Sequence, residues 1–385
     1  MLYCGLDLSR KRTDFHVLDR SGVVVEAGAV GADADALAGL ARRLGVYELQ
    51  VRATVESMNG ARFVHDELER HGWEVLVADA AKVRGLAPLA CKTDKIDARV
   101  LAELTCRDLV PAIWLPDPDV RGARERARFR LHLVRHRISL KNRIHQTLVT
   151  HGVPCPVSDL FGHAGRQKLE RMQLPEPWAG TVQASLRLLD ELAVEIDQIE
   201  RELRVLGADH RYVPLLTTVP GIAWVLGYTI AAEIGDIDRF ASPKKLAGYS
   251  GLCPRVYQSG NSDRRGPITK TGPKYLRWAL IEATSHACRH PAYAARYQHT
   301  KIRLGRQRGP KVAQVDLARR LSEVLHREAS PLLQRGLAPR NALRRARQRR
   351  PPVCDPHQQI TTRQMHGDGA VTPPALDRHC RRSDG

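Results

Sequence analysis

Carboxylates stand at informative positions near the start of this chain. Asp7 lies within the apolar stretch Leu2–Ser9, whose pattern predicts a buried β-strand. A carboxylate buried in a strand is strongly destabilising unless a positive group or a metal ion lies beside it. Taken alone, Asp7 is explained more simply by a salt bridge or a capping role than by a metal.

Three further carboxylates change that interpretation. Glu56 directly follows the apolar stretch Leu49–Val55. Asp94 and Asp97 are spaced i, i+3 at the start of a predicted helix, which places them on one face. Oxygen-only ligands suit Mg²⁺ or Mn²⁺. Two such ions about 4 Å apart would clamp the attacking and leaving oxygens of a phosphodiester displacement.

Each of these acids also has a simpler explanation. Asp94 could cap its helix. Asp97 could pair with Lys95 or Arg99. Glu56 could lie on the surface, in the turn that follows its strand. Only the four acids taken together predict a metal-binding cluster, because separate elements of the fold would bring them to one place.

The elements expected around these acids have the order of an RNase H-like fold. A three-strand meander comes first, and helices and strands then alternate. The predicted strands are Leu2–Ser9, Thr13–Asp19, Gly22–Ala27, Leu49–Val55 and Glu74–Ala78. The predicted helices are Asp33–Leu44, Ala61–His71, Ala80–Leu86 and Thr93–Leu109. We therefore expect an α/β, RNase H-like catalytic domain over residues 1–115, with Asp7 on its central strand.

The charge of the chain is large and unevenly placed. The 385 residues carry a net charge of +19, which predicts a polyanionic partner. Residues 1–110 hold 15 basic and 17 acidic residues, whereas residues 121–150 hold nine basic residues and one acid. Residues 255–320 hold 15 basic residues and three acids. The pattern predicts a neutral catalytic domain joined to segments that bind phosphates.

The cysteines and the apolar runs indicate the compartment. The eight cysteines include no CxxC pair, which favours reduced thiols in a cytosolic protein. No signal peptide is recognisable, and the longest uncharged apolar stretch, Gly221 to Ala232, is shorter than the roughly 20 residues that span a bilayer. We expect a cytoplasmic protein associated with the nucleoid and not with a membrane.

The middle of the chain, residues 116–210, predicts a helical linker. Pro111–Pro118 is a proline-rich boundary, Val120–Thr150 a long basic helix, and Gly152–Pro177 a loop. Apolar residues between 181 and 207 follow 4-3-4-3 spacing over about three heptads, as in a coiled coil. Two interpretations stay open: an intermolecular coiled coil that helps to assemble an oligomer, and a helix that packs on its own domain.

Residues 211–305 predict a mainly α-helical C-terminal domain. Leu215–Ile222, with Gly221 in its turn, and Ala223–Ile234 resemble a helix-hairpin-helix, whose turn amides receive a backbone phosphate. A plain helical turn is the alternative. Further helices are expected from Ser242 and from Lys274.

A loop is expected between those two helices, over residues 253–266. It is rich in Arg, Ser and Gly, and it contains Ser259 next to Gly260. A serine in such a loop can approach a phosphate, and arginines stabilise the charge of the transition state. On its own, Ser-Gly in a loop is most simply a turn. The residues that we expect to contact nucleic acid are Arg255, Arg264, Arg265, Lys270, Lys274, Arg277 and Gly221.

The last segment, residues 306–385, is expected to be a basic and largely disordered tail. From Pro331 onward it holds 11 basic residues and four acids, with few apolar residues. It also contains Cys354, His357, His379 and Cys380, but their spacing fits no standard zinc-ligand pattern.

The combination of motifs resembles one known family. The motifs are GLDLS, VESMNG, KTDKIDA, VPGI, AAEIGDIDRF, GLCPRVYQSGNS and ITKTGPKYLRWAL. Together, over roughly residues 1–305, they resemble the DEDD transposases of bacterial insertion sequence family 110, the bridge-RNA-guided recombinases.

The resemblance implies a mechanism and a set of partners. It implies that Asp7, Glu56, Asp94 and Asp97 bind Mg²⁺ (or Mn²⁺), and that Ser259 attacks DNA to form a phosphoserine link. It also implies donor and target DNA, a structured non-coding guide RNA, and a dimer or tetramer. At this site family members commonly have two small residues followed by a glycine, whereas this chain has Gln258-Ser259-Gly260. Gln258 departs from that pattern, and nearby Ser262 therefore stays an alternative nucleophile.

Two other functions are compatible with the sequence. A RuvC-like, structure-specific nuclease would cut with metal-activated water and would need no serine. A non-catalytic, basic nucleic-acid-binding protein would use its acids only for stability. The sequence favours a transposase or recombinase over both.

Overall fold

The computed structural model describes residues 1–86, 93–153, 157 and 159–335, with only the backbone for residues 330–335. The chain divides into two compact units, of which the first is Met1–Ala123 and the second begins at Arg124. Within the described residues, no helix has both the length and the apolar character that are needed to cross a membrane.

The first unit is an α/β domain built on a mixed sheet. Its strands are β1 (Leu2–Leu8), β2 (Arg12–Leu18), β3 (Val24–Gly31), β4 (Val51–Glu56) and β5 (Glu74–Ala78). Its helices are α1 (Ala34–Gly45), α2 (Ala61–Arg70), α3 (Ala80–Leu86) and α4 (Asp94–Cys106). The strand order is β3-β2-β1-β4-β5. β2 is antiparallel to β1 and β3, and β4 is parallel to β1 and β5. This arrangement is consistent with the predicted RNase H-like fold.

One face of this sheet forms the hydrophobic core. Alternate residues of β1, such as Cys4 and Leu6, are buried there against α1 and α2, which contribute Leu37, Leu40 and Val64. Each fully buried leucine of this kind stabilises the fold by about 1.5–3 kcal/mol. α1 begins where the sequence predicts, because the side chain of Asp33 accepts a hydrogen bond from the amide of Ala36.

Helix α4 packs on the opposite face of the sheet, directly over Gly5. A Cβ atom at Gly5 would lie 1.9 Å from the carbonyl oxygen of Ala98 and 2.4 Å from the amide nitrogen of Ala102. Further along the helix, the hydroxyl of Thr105 donates a hydrogen bond of 2.7 Å to that of Thr54 on β4. Glycine at position 5 is therefore required for the close approach of α4 to the central strand.

The second unit starts with an antiparallel pair of long helices, α5 (Pro118–Thr150, which begins in the first unit) and α7 (Trp178–Ala208). Near one end of the pair, Arg126 forms an ion pair with Glu202 at 2.8 Å. Near the other end, Ile144 and Leu148 of α5 share a core cluster with Val182 and Leu186 of α7. The predicted seam is thus used for packing within the chain along this part of α7.

The predicted loop between these helices contains a helix that the sequence analysis missed. α6 spans His163–Arg171, and Leu160 and Leu169 are buried in the same cluster as the ends of α5 and α7. The glycines and prolines around it concealed a short apolar pattern. Residues 154–156 and 158 of that loop lie outside the described residues.

The rest of the second unit combines helices with one small sheet. The helices are α8 (Val213–Leu216), α9 (Trp224–Ile234), α10 (Pro243–Tyr249), α11 (Lys274–Ala287) and α12 (Pro291–Arg335), which is broken at Gly305. β6 (Pro254–Ser259) and β7 (Ser262–Ile268) form an antiparallel hairpin. The prediction of a loop over residues 253–266 was therefore wrong. It failed because both strands are mostly exposed and show no apolar face.

The predicted tail begins too early, because α12 continues through residues 306–335. Leu317, Leu321 and Leu325 are buried, and Nε2 of the buried His326 lies 2.8 Å from the carbonyl oxygen of Phe240. The many arginines of this segment concealed a helical leucine spacing. Residues 336–385, including the four cysteines and histidines considered for zinc, lie outside the described residues.

Candidate active site

Two of the predicted acids lie side by side at the ends of neighbouring strands. The register of β1 and β4 pairs Leu6 with Val55, so Asp7 and Glu56 are the next residues on the two strands. Adjacent strands lie about 4.8 Å apart, and side chains at matching positions share a face. That face is the one on which Gly5 contacts α4, and both acids are partly buried there.

The other two acids lie at the start of α4. Thr93 is the N-cap of this helix, and Asp94 and Asp97 are both in its first turn. Since residues 98–102 cross the strand at Gly5, the first turn lies toward one end of β1. Asp94 identifies that end, because its Oδ2 is 3.8 Å from Nη2 of Arg12, which starts β2. The start of α4 therefore lies at the end of β1 that carries Asp7.

A fifth carboxylate at this end was missed by the sequence analysis. Asp14 on β2 is paired in register with Asp7, and it is only 1% exposed. Arg12 donates two hydrogen bonds to Asp14, of 2.8 Å from Nε and 3.1 Å from Nη2. The same guanidinium approaches Asp94, so Arg12 links β2 to α4 across the acidic end of the sheet. The available signal was an aspartate in the middle of an apolar strand.

A histidine lies on the same face without adding charge. His16 is paired in register with Gly5, beneath α4. Burial lowers the pKa of His16, and Arg99 lowers it further, while Glu103 opposes the shift. The neutral imidazole is therefore the favoured form at this position.

The donor set at the end of the sheet fits a hard divalent cation. All of the ligand candidates are carboxylate oxygens, which Mg²⁺ and Mn²⁺ prefer. As their side chains are placed, no three His, Cys, Asp or Glu residues within the described part of the chain lie close enough together to hold one ion. The fold thus gathers the acids in one region but does not present a closed set of ligands.

The predicted nucleophile lies at the tip of the β6–β7 hairpin. Ser259 is paired with Ser262 across a turn formed by Gly260, with φ of 53°, and Asn261. All four residues are exposed. Directly paired residues of antiparallel strands present their side chains on the same face. The two serines are therefore equivalent in geometry, and the choice between them stays open.

The hairpin carries exposed positive charge next to these serines. Arg255, Arg264 and Arg265 are exposed, and Arg265 forms an ion pair with Asp263 at 3.0 Å. The pKa of Arg265 is raised by its hydrogen bond to Asp263. Such a ribbon can contact phosphates on both of its sides.

A second basic cluster surrounds Tyr275 at the start of α11. The guanidinium carbons of Arg128 and Arg135 lie 4.8 and 5.6 Å from the centre of its ring, and Nζ of Lys274 lies 5.1 Å away. Arg128 is held there by two hydrogen bonds, of 2.7 and 3.0 Å, to the fully buried Glu233. Burial opposes the charge of Arg128, but Glu233 outweighs it and raises the pKa of the guanidinium.

The sequence analysis predicted Lys274 for this cluster but not its partners. The charge run of residues 121–150 contained the signal for Arg128 and Arg135. The side of α5 on which those arginines meet α11 was not readable from the sequence.

Three other predicted nucleic-acid contacts have structural explanations. Gly221 has φ of +88°, and a Cβ atom there would lie 2.2 Å from the carbonyl oxygen of Ala283 in α11. Arg277 donates hydrogen bonds to the carbonyl oxygens of Ser250 and Thr271. Lys270 is exposed in the connection between β7 and α11, with φ of 57°. The contacts of these residues with nucleic acid stay predictions.

The mixed sheet, with carboxylates at the ends of its central strands, is consistent with a DEDD-type domain of the RNase H-like class. A family model described as a transposase, of the DEDD type found in IS110, matches residues 4–152. A second, described as the transposase IS116/IS110/IS902 family, matches residues 213–299. The two matches together cover more than half of the chain, which belongs to the IS110/IS116/IS902 family of transposases.

Individual relatives agree with this assignment. The transposase for insertion sequence element IS1328 of Yersinia enterocolitica is 28% identical over 232 residues, which are 59% of this chain and 68% of that protein. The transposase for IS1111A of Coxiella burnetii is 24% identical, over 52% of this chain and 56% of its own length. The pilin gene-inverting protein of Moraxella bovis is 30% identical, over 49% and 51% respectively. The aligned regions thus span about half to two thirds of these relatives.

Proposed function

We propose that this chain is the enzyme that cuts and exchanges DNA strands for an insertion sequence, in a divalent-metal-dependent reaction that passes through a phosphoserine link. Asp7, Glu56, Asp94 and Asp97 hold the metal ions in this proposal, and Ser259 is the nucleophile. The family assignment supports the transposase activity. The finer roles of these residues are our inference.

One observation carries the proposal. Asp7 and Glu56 follow paired residues of adjacent parallel strands, and the helix that bears Asp94 and Asp97 begins at that end of the sheet. Carboxylates gathered at one end of a sheet repel one another, and a divalent cation bound among them would offset that repulsion. A purely structural role would not require three separate elements to bring carboxylates to one end of a sheet.

The chemistry assigns one task to each group. Oγ of Ser259 forms a bond to the phosphorus of a DNA phosphodiester as the bond from phosphorus to O3′ breaks. The serine loses its proton, and O3′ gains one and leaves as a free 3′-hydroxyl. Mg²⁺ or Mn²⁺, when bound, would stabilise the charge that develops on the phosphate oxygens. The arginines of the hairpin would stabilise the same charge from the serine's side.

The partners follow from charge and from the family. The net charge of +19 suits DNA and RNA backbones. We include a structured non-coding guide RNA, since base pairing would then select the donor and target sequences. We also include assembly as a dimer or tetramer, in which the acids of one copy could serve the serine of another.

A covalent adduct would test the central step. The full chain, DNA carrying the ends of its element and RNA transcribed from the flanking region would be incubated with Mg²⁺, denatured and resolved on a gel. We expect a protein–DNA adduct that is lost in Ser259→Ala and retained in Ser262→Ala. We also expect Asp7→Asn and Glu56→Gln to abolish both adduct and cleavage, while the exposed control Asp35→Asn on α1 leaves both unchanged.

Other outcomes would replace parts of the proposal. An adduct that is lost in Ser262→Ala but retained in Ser259→Ala would make Ser262, on β7, the nucleophile. Cleavage that survives in the double serine variant would indicate a RuvC-like nuclease that uses water. Cleavage that is unaffected by Asp7→Asn and Glu56→Gln would mean that these acids are structural. Nucleic-acid binding without any adduct or cleavage by the parent protein would leave only a basic nucleic-acid-binding protein. Full activity without RNA would remove the guide from the proposal.

A further inference from the structure

A cleft lies beside the strand that carries Glu56. It is open to solvent and has a volume of about 500 Å³, and its lining includes Met58, Asn59, Phe63 and Arg121. The turn after β4 and the first turn of α2 form one wall, and the start of α5 contributes to the cleft as well. Small-molecule sites usually measure about 300–1,000 Å³, so this volume is sufficient for one nucleotide.

The apolar part of this lining is open to solvent. Phe63 is 41% exposed and Met58 is 45% exposed. An aromatic face at the surface of a nucleic-acid enzyme offers a stacking platform that accepts any base. Asn59, exposed between them in the lining, has an amide with donors and an acceptor, which is the pattern that base edges can match.

The polar part of the lining suits a phosphate. Arg62 is exposed at the cleft, whereas the charge of Arg121 is already balanced by Asp66, which lies 2.6 Å away. Gly60 also lines the cleft as the N-cap of α2, and no side chain caps the helix there. The first turn of α2 contains no acid. The wall formed by the turn and α2 therefore combines exposed apolar side chains with the exposed guanidinium of Arg62, and the acid that also lines the cleft, Asp66, is neutralised by Arg121.

We propose that this cleft binds one nucleotide of a polynucleotide strand, with the base stacked on Phe63, the base edge facing Asn59 and the phosphate directed toward Arg62. This inference rests on the proposed function, because Asn59 is only three residues beyond Glu56. The bound nucleotide would belong to the strand on which the proposed site acts. Holding it would fix the strand relative to the acids without reading its sequence.

Photo-crosslinking would test this site independently of catalysis. The full-length Asp7→Asn protein would be mixed with oligonucleotides of the element's end that carry 5-iodo-2′-deoxyuridine at successive positions. After irradiation, mass spectrometry would identify the modified peptide. We expect crosslinks to Phe63 from one or two adjacent positions only. A parallel series of RNA strands with 5-iodouridine shows whether the cleft accepts DNA, RNA or both.

Variants would connect the crosslink to binding. Phe63→Ala should weaken binding of the strand by roughly 5- to 140-fold, since one stacked base is worth about 1–3 kcal/mol. Phe63→Trp should restore the affinity, which a merely structural defect would not allow. The matched control is Tyr47→Ala, because Tyr47 is 45% exposed in the same unit and does not line the cleft. It should bind as the parent protein does.

The possible failures are distinguishable from one another. If the crosslinks do not map to Phe63 and Phe63→Ala binds the strand with unchanged affinity, the cleft is not a nucleotide-binding site. That conclusion would hold even if the protein cuts DNA. A crosslink at Phe63 in a protein that never forms an adduct or cuts a strand upholds the cleft and removes the proposed function. A change in oligomeric state of Phe63→Ala with unaltered strand binding would make the cleft a protein interface, which also overturns the inference.

Discussion

The acidic end of the first unit's sheet and the tip of the β6–β7 hairpin are held in opposite ways. The acids follow strands whose register is fixed by a buried core on one side and by α4 on the other. The serines lie on a two-stranded ribbon that is largely exposed. Packing therefore positions the acids before any substrate arrives. The exposed tip of the hairpin is not held by packing of that kind.

The largest expected effect comes from Gly5→Ala in the first of these regions. The new Cβ would clash with the backbone of Ala98 and Ala102, so α4 and its acids would have to move away from the sheet. We expect a loss of about 3 kcal/mol or more in the free energy of unfolding, measured by urea denaturation.

The matched control for this substitution is Gly39→Ala. Gly39 lies within α1, and no heavy atom would lie within 4 Å of its Cβ. Alanine there should be neutral or stabilise the fold by about 0.5–1 kcal/mol, because glycine weakens helix interiors. Equal losses in the two variants would contradict the proposed packing of α4 on Gly5.

The next effect concerns the second unit, where Glu233→Gln would break a buried ion pair. Arg128 would keep its charge without a carboxylate partner. We expect a loss of about 2–3 kcal/mol, below the usual cost for fully buried pairs because the Arg128 side chain is 34% exposed. Nucleic-acid binding should weaken too, since Arg128 would leave the ring of Tyr275. Glu202→Gln, in an exposed pair with Arg126, should cost about 0–1 kcal/mol.

A smaller effect should follow pH through His210. Burial lowers the pKa of this histidine, and its Nδ1 accepts a hydrogen bond from the amide of Tyr212. Below about pH 6.5 this histidine binds a proton in the unfolded chain but stays neutral in the folded chain. The free energy of unfolding therefore falls as the pH falls. His210→Gln should reduce the difference in thermal midpoint between pH 7.5 and pH 5.5. Substitution of the exposed His163 by Gln should leave that difference as it is.

The smallest effect on stability should come from Gly260→Ala at the hairpin tip. No atom would meet the new Cβ, and only the φ of 53° opposes it, at a cost of about 1 kcal/mol. Global unfolding should barely change, because the ribbon contributes little to the core. Strand cleavage should fall more than stability does. A large decrease in the thermal midpoint of Gly260→Ala would show that packing holds the hairpin tip as firmly as it holds the acidic end of the first unit's sheet.

The same contrast explains what could be predicted from the sequence. The first unit's elements were predicted to within a few residues, because buried strands and amphipathic helices carry a strong apolar pattern. Asp7 and Glu56 follow such strands, so their proximity could be argued from the order of elements. Asp14 escaped notice because register, and not spacing along the chain, places it opposite Asp7.

The second unit was less readable for physical reasons. Charge dominates the sequence of α12 and conceals its buried leucines, so it was predicted to be part of a tail. The hairpin has no apolar face, and its strands were predicted to be a loop. Ser259 could be assigned only through the resemblance to a family, and the equal placement of Ser262 leaves that prediction untested.

The course of α12 has a practical consequence for anyone shortening this protein. Composition alone suggests stopping near residue 305, where the basic segment begins. A cut there would strip away Leu317, Leu321 and Leu325 and uncover the surface that they fill, together with the carbonyl group that His326 satisfies. A shortened protein should instead keep the whole helix through Arg335.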